Sequence, residues 1–217
     1  YFSLVTFPVI SIAIFVLFFF IAAFYFPGSE FSHLNYKADK YSLTHNFLSS
    51  LGRIECSNGK TNLISCILFN TSLVLVGITI VQFYRGFKEL FFTIKDSSRS
   101  IIFSDYTKRV GIISGVLFAG VGLVPHDLHY GAHVFFANYA FLSLFVLSIL
   151  HSMTIYSSRY ISNIYAIGYL IFCFVLLVYV YLIFLGPNIA PRQSSKEHNV
   201  TTVKCKAYKL LLGSVCV

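Results

Sequence analysis

The chain has 217 residues, the size of one ordinary domain. It is 57% hydrophobic and only 11% charged, against about 25% charged in a typical soluble domain, which excludes both an ordinary soluble protein and a disordered one. There are 24 Phe and 15 Tyr but no Trp, and 16 Lys and Arg against 8 Asp and Glu leave a charge of +8. In so apolar a chain that excess is first a topology signal, so membrane lipid is the expected partner and nucleic acid is not.

The chain opens at Tyr1 rather than Met, as a fragment or a processed chain does. Its first apolar run, about 23 residues, is too long for a signal-peptide core. Five runs are long enough to cross about 30 Å of hydrocarbon. They cover residues 4–26, 63–84, 105–124, 131–156 and 161–185. The third is the least clean: only Val110 to Val124 is uncharged before Pro125, so Lys108 and Arg109 must snorkel. The fifth stops at Gly186-Pro187. A further apolar stretch from Ala207 reads as a sixth helix cut short, since the remaining residues rise only about 17 Å. The expected fold is all-α: a single polytopic transmembrane helical bundle of five complete spanning helices and a truncated sixth, with no internal repeat.

The connections differ in kind. Residues 27–62 form a long polar loop, residues 85–104 a basic loop with interleaved aromatics, and residues 157–160 a tight turn. Lys and Arg counts alone do not orient the chain: Arg85, Lys88, Lys95, Arg99, Lys108, Arg109 and Arg159 on one side face Lys37, Lys40, Arg53, Lys60, Arg192, Lys196, Lys204 and Lys206 on the other. The dense cluster at 85–109 decides, and places that segment and the N-terminus in the cytoplasm. Cys56 and Cys205 then share the outer side, where they either pair or remain free thiols. Cys66 and Cys173 fall inside helices as apolar fillers. Asn199-Val200-Thr201 is an outward glycosylation sequon.

The sharpest polar feature is the segment from Val124 to His133. His129 and His133 are four apart, the spacing at which a helix offers two imidazoles to one metal, and His126 and Asp127 lie close by. Two readings stand: a zinc site made by His126, His129 and His133 with Asp127 orienting a ring, or a polar interhelical turn with no cofactor. In the second reading His133 bonds across to the turn at Asn46 and Ser49. Asn70 and Asn138 lie within apolar runs at about 10–12 Å depth, where polar side chains need partners inside the protein. They join Asn46, Ser49 and His133 as one polar cluster at the outer face. His151, near the inner end of the fourth run, is too far from His133 to share an ion with it. Gly111, Gly115, Ala119 and Gly122 give the third run a small-residue face for close helix approach.

The segments Asn46-Phe-Leu-Ser-Ser-Leu-Gly52, Leu68-Phe69-Asn70 and Gly122-Leu-Val-Pro-His126, with His133 and Phe135-Phe136, resemble the six-helix membrane family called domain-of-unknown-function 998, which is similar to the Frag/DRAM/Sfk group. Ser50 stands where that family usually has Asp. The resemblance implies an integral membrane fold with Asn46, Ser49, Asn70 and His133 gathered outward, and no particular activity. The leading expectation is therefore a multi-pass membrane protein without catalysis of its own, a lipid-environment scaffold or a subunit of a membrane assembly. An intramembrane metal-dependent lipid hydrolase and a small-solute transporter are the alternatives, so enzymatic activity stays open.

Overall fold

A computed structural model describes residues 1–31 and 36–186. The start of a sixth helix, Cys205 and the sequon at Asn199 lie outside the described residues. The described chain is all-α apart from one small hairpin. A π-helical turn at Phe2–Thr6 leads into α1 (Phe7–Tyr25), followed by α2 (Leu63–Thr93), α3 (Ser98–Leu123), α4 (Tyr130–Tyr156) and α5 (Ile164–Leu185). The hairpin pairs β1 (Ser29–Phe31) antiparallel with β2 (Tyr36–Ala38), with Glu30 opposite Lys37. Gly28 enters it at φ +96°, a left-handed conformation that glycine adopts without a Cβ penalty.

Four helical stretches are long and apolar enough to cross a membrane: Phe2–Tyr25, Leu63–Thr93, Tyr130–Tyr156 and Ile164–Leu185. α3 has the length, at 26 residues, but Arg99, Asp105, Lys108 and Arg109 occupy its first half. Its uncharged part, Val110 to Leu123, rises only about 21 Å.

The basic segment expected as a loop over 85–104 is mostly helix. α2 runs on to Thr93, and after a short turn α3 begins at Ser98 rather than near 105. The cause is periodicity: Tyr84, Phe87 and Phe91, at helical spacing, continue the buried stripe of α2 past Arg85. Charge marks where a helix leaves hydrocarbon and does not end it. α2 stops in a Schellman turn, in which Asp96 N–H donates to the Phe91 carbonyl and Lys95 N–H to that of Phe92, with Lys95 at φ +49°.

Chain order is spatial order, with α1 packed on α2, α2 on α3, α3 on α4 and α4 on α5. α3 fits between two neighbours because both its faces are small. Toward α2, a Cβ on Gly111 would strike the Tyr84 side chain, one on Gly115 the Gly77 carbonyl, and one on Gly122 the Asn70 carbonyl. Toward α4, Thr107 and Thr154 hydroxyls meet at 3.1 Å and Ser100 donates to the Thr154 carbonyl. These contacts also set the level of the helices. Gly122 near the end of α3 lies beside Asn70 of α2, so α3 stops about two turns short of the start of α2.

Candidate functional site

At the end of the bundle where α3 stops short, the loop between α1 and α2 is bonded to α2 and to the α3–α4 turn. Its 3₁₀ turn, Leu48–Gly52, buries Ser49, Ser50, Leu51 and Gly52. Non-helical backbone at this depth must find partners inside the protein. They come from one stripe of α2 and the residue before it: Asn62, Ser65, Cys66 and Asn70. The Leu51 carbonyl accepts from Asn62 Nδ2 and Ser65 Oγ, both at 3.1 Å. The Gly52 carbonyl accepts from Asn70 Nδ2 at 3.0 Å and Cys66 Sγ at 3.2 Å. Gly52 is required by proximity, since any Cβ there would run into Asn70 Oδ1 and stand 3.2 Å from the Phe69 ring. Leu51, Phe69, Ala22, Phe26 and Cys56 form the apolar cluster around this turn.

The same loop is tied down from the α3–α4 turn. Asp127 accepts from Ile54 N–H at 2.9 Å and from Glu55 N–H at 2.8 Å. Its carboxylate therefore holds backbone across more than seventy residues of sequence. Asn46 is fully buried, donates to Ser29 Oγ at 2.7 Å and accepts from Ser42 N–H. His133, 3% exposed, lies 2.7 Å through Nδ1 from the Val124 carbonyl, and Nδ1–H is the donor because a carbonyl only accepts. The expected bond from His133 to the Asn46–Ser49 turn is not made: the ring is turned toward the end of its neighbour α3, and Nε2 is buried with no hydrogen-bond partner. The His126 ring stands edge-on to it, centroids 5.5 Å apart. His129 is exposed and caps its own helix, Nδ1 accepting from Ala132 N–H. Among the described residues no group of three His, Cys, Asp or Glu converges as a metal would need. Asn138 is half-buried on α4, and no hydrogen bond joins it to Asn70. The five-residue polar cluster is thus distributed: Ser49 and Asn70 belong to the buried turn, Asn46 to the loop's own fold, His133 to the α3–α4 junction.

Burial, outweighing the nearby Arg53 and helped by Asp127 and Glu55, pushes the Cys56 thiol up to about 11, so it stays protonated at neutral pH.

At the opposite end two short turns clasp each other. Asp96, between α2 and α3, is buried and accepts from Ser158 Oγ, Arg159 N–H at 2.9 Å and Ser97 N–H, while Ser97 Oγ donates to the Ser157 carbonyl. Burial alone would raise the Asp96 carboxyl, but these donors and the Arg159 charge hold it below its ordinary value. Just inside this clasp His151, 2% exposed, is stacked between Phe87 (4.4 Å) and Tyr169 (3.8 Å), with Nδ1 3.2 Å from the Tyr84 hydroxyl. Sequence reasoning passed over this box because its four members come from three helices. The signal available was the Tyr84–Phe87 pair continuing past the first charge of α2.

Among the described residues the two ends differ in charge. Beside the long loop, Lys37, Lys40, Arg53 and Lys60 face Glu30, Asp39, Glu55 and Asp127. At the clasp, Arg85, Lys88, Lys95, Arg99, Lys108, Arg109 and Arg159 face only Glu89, Asp96 and Asp105. Asp105 bridges Lys88 at 2.8 Å and Arg109 at 2.9 Å.

Neither models of known protein families, nor curated proteins, nor solved structures yield a match to this chain.

Proposed function

We propose that the chain is a multi-pass integral membrane protein without catalysis of its own, serving as a lipid-environment scaffold or as a subunit of a membrane assembly. One observation carries this reading: five polar side chains at the loop end donate to or accept from loop backbone. Asn62, Ser65, Cys66 and Asn70 serve the Leu51 and Gly52 carbonyls, and Asp127 serves Ile54 and Glu55. Such residues hold a loop in place and leave little for chemistry. In this reading α3 is a fifth crossing shielded by its neighbours, and the N-terminus and the basic 85–109 segment are cytoplasmic. Membership of the domain-of-unknown-function 998 family belongs to the same proposal, on the motif resemblance alone. Cysteine labelling in sealed vesicles tests the orientation: a cysteine at Lys95 should be shielded and one at Lys37 accessible, and the reverse result overturns it.

A metal-dependent hydrolase remains the second reading because of the buried, unpartnered His133 Nε2 beside the His126 ring. Melting temperatures of His126→Ala, His129→Ala and His133→Ala, with and without chelator, separate the two. The scaffold reading expects a clear loss only for His133→Ala and no chelator effect. Equal losses with chelator sensitivity would favour zinc bound by all three.

A further inference from the structure

The uncharged part of α2, Leu63 to Tyr84, rises about 33 Å, which matches the hydrocarbon of a bilayer. Arg85 follows at once. Because Gly111 packs on Tyr84 and Lys88 pairs with Asp105, the first half of α3 stands beside this end of α2, with Lys108 near the level of Arg85. Beyond that level lie Lys95 and Arg99 at the tip of the α2–α3 hairpin, and Arg159 in the turn held by Asp96. Among the described residues no carboxylate is in ion-pair contact with any of these five cations. Exposed apolar side chains are mixed with them: Phe92 at 64%, Ile102 at 55% and Tyr106 at 54%. On α3, Arg99, Ile102, Tyr106 and Arg109 follow one exposed stripe at helical spacing. Cations alternating with exposed apolar groups suit neither water nor hydrocarbon and fit the headgroup layer between them.

We propose that this hairpin tip is a binding surface for anionic phospholipid headgroups, with Arg85, Lys95, Arg99, Lys108 and Arg159 taking the phosphates and Phe92, Ile102 and Tyr106 lying among the headgroups. Charge complementarity selects the lipid, because among the described residues this end sets seven cations against three carboxylates, and it faces a leaflet whose anionic lipids attract Lys and Arg close to the surface. Among the described residues the other end balances, four cations against four carboxylates. The inference rests on the chain being membrane-embedded.

The full chain is reconstituted into vesicles of phosphatidylcholine alone or of phosphatidylcholine mixed with phosphatidylglycerol, and its melting temperature is measured. The mixed membrane should raise it by on the order of 5 °C, and the gain should shrink as salt rises. The variant Arg85→Gln, Arg99→Gln, Lys108→Gln, Arg159→Gln should lose most of the gain. The variant Lys37→Gln, Lys40→Gln, Lys60→Gln at the other end should keep it. Equal melting in both membranes, a loss as large in the second variant, or the same gain from inorganic phosphate added to phosphatidylcholine vesicles would each overturn the proposal. Should the first variant not fold, the wild-type difference and its salt dependence still decide. A chain that does not enter the vesicles at all would refute the membrane reading instead.

Discussion

The two ends of the bundle solve the same problem with opposite means. Each has an aspartate in an interhelical turn that reaches across to a distant connection and accepts from its backbone. At the clasp end Asp96 is buried, its partners are two short turns, and the surroundings are basic. At the loop end Asp127 is exposed, its partners lie in a 36-residue connection, and the charges of the described residues balance. The difference predicts that depth, more than the number of bonds, sets what such a carboxylate contributes, because water can replace it only where water reaches.

Removing each carboxylate in turn separates the two ends most. Asp96→Ala removes a buried carboxylate from three part-buried donors and should cost about 3 kcal/mol. Asp127→Ala leaves N–H groups that turn to water and should cost about 1 kcal/mol, like the loss of a helix cap. Thermal or denaturant melts of the two variants in one detergent measure this, and equal losses would mean depth is not the deciding variable.

Asn70→Ala comes next. It removes one of the two donors to the Gly52 carbonyl deep in the fold, and a loss of about 2 kcal/mol is expected. Limited proteolysis should then cut within residues 48–56 sooner than in the wild type, while the clasp end stays resistant.

Acid sharpens the contrast further. The Asp96 carboxyl lies below its ordinary value of 3.8 when folded, so its contribution is complete above that value and fades as pH falls through the lowered one. The stability gap between wild type and Asp96→Asn should be constant from neutral pH to about 5 and close below 3.8. A gap that closes above pH 5 would contradict the downward shift.

The smallest effect is a gain. Lys95 holds a left-handed position that costs a side-chain-bearing residue about 1 kcal/mol, so Lys95→Gly should raise the melting temperature slightly. No loop-end substitution of a lysine by glycine should do so.

What the residues disclosed on their own was uneven for physical reasons. The apolar runs marked α1, α2, α4 and α5 to within a few residues at most ends, because twenty apolar residues in a row have few other uses. The small face of α3 was also legible as Gly111, Gly115 and Gly122, since spacing alone announces it. The far end of α2 was not: Arg85 and Lys88 were read as loop, although the Phe87 and Phe91 spacing still obeyed a helix. Asp127 was legible as polar and placed, yet its partner depended on how far α3 stops short, which no local pattern carries. His151 was dismissed on distance from other His, while its neighbours turned out to be rings.

The tie between Asp127 and the backbone at Ile54 and Glu55 also sets an order of events. Each helix packs on the one made before it, so most of the bundle assembles as the chain emerges. The turn at Leu48–Gly52 can settle once α2 exists, because α2 and Asn62 before it supply its donors. The two amides just beyond it wait until synthesis has passed α3 and delivered Asp127. Until then those two amides lack the carboxylate that holds them in the finished fold.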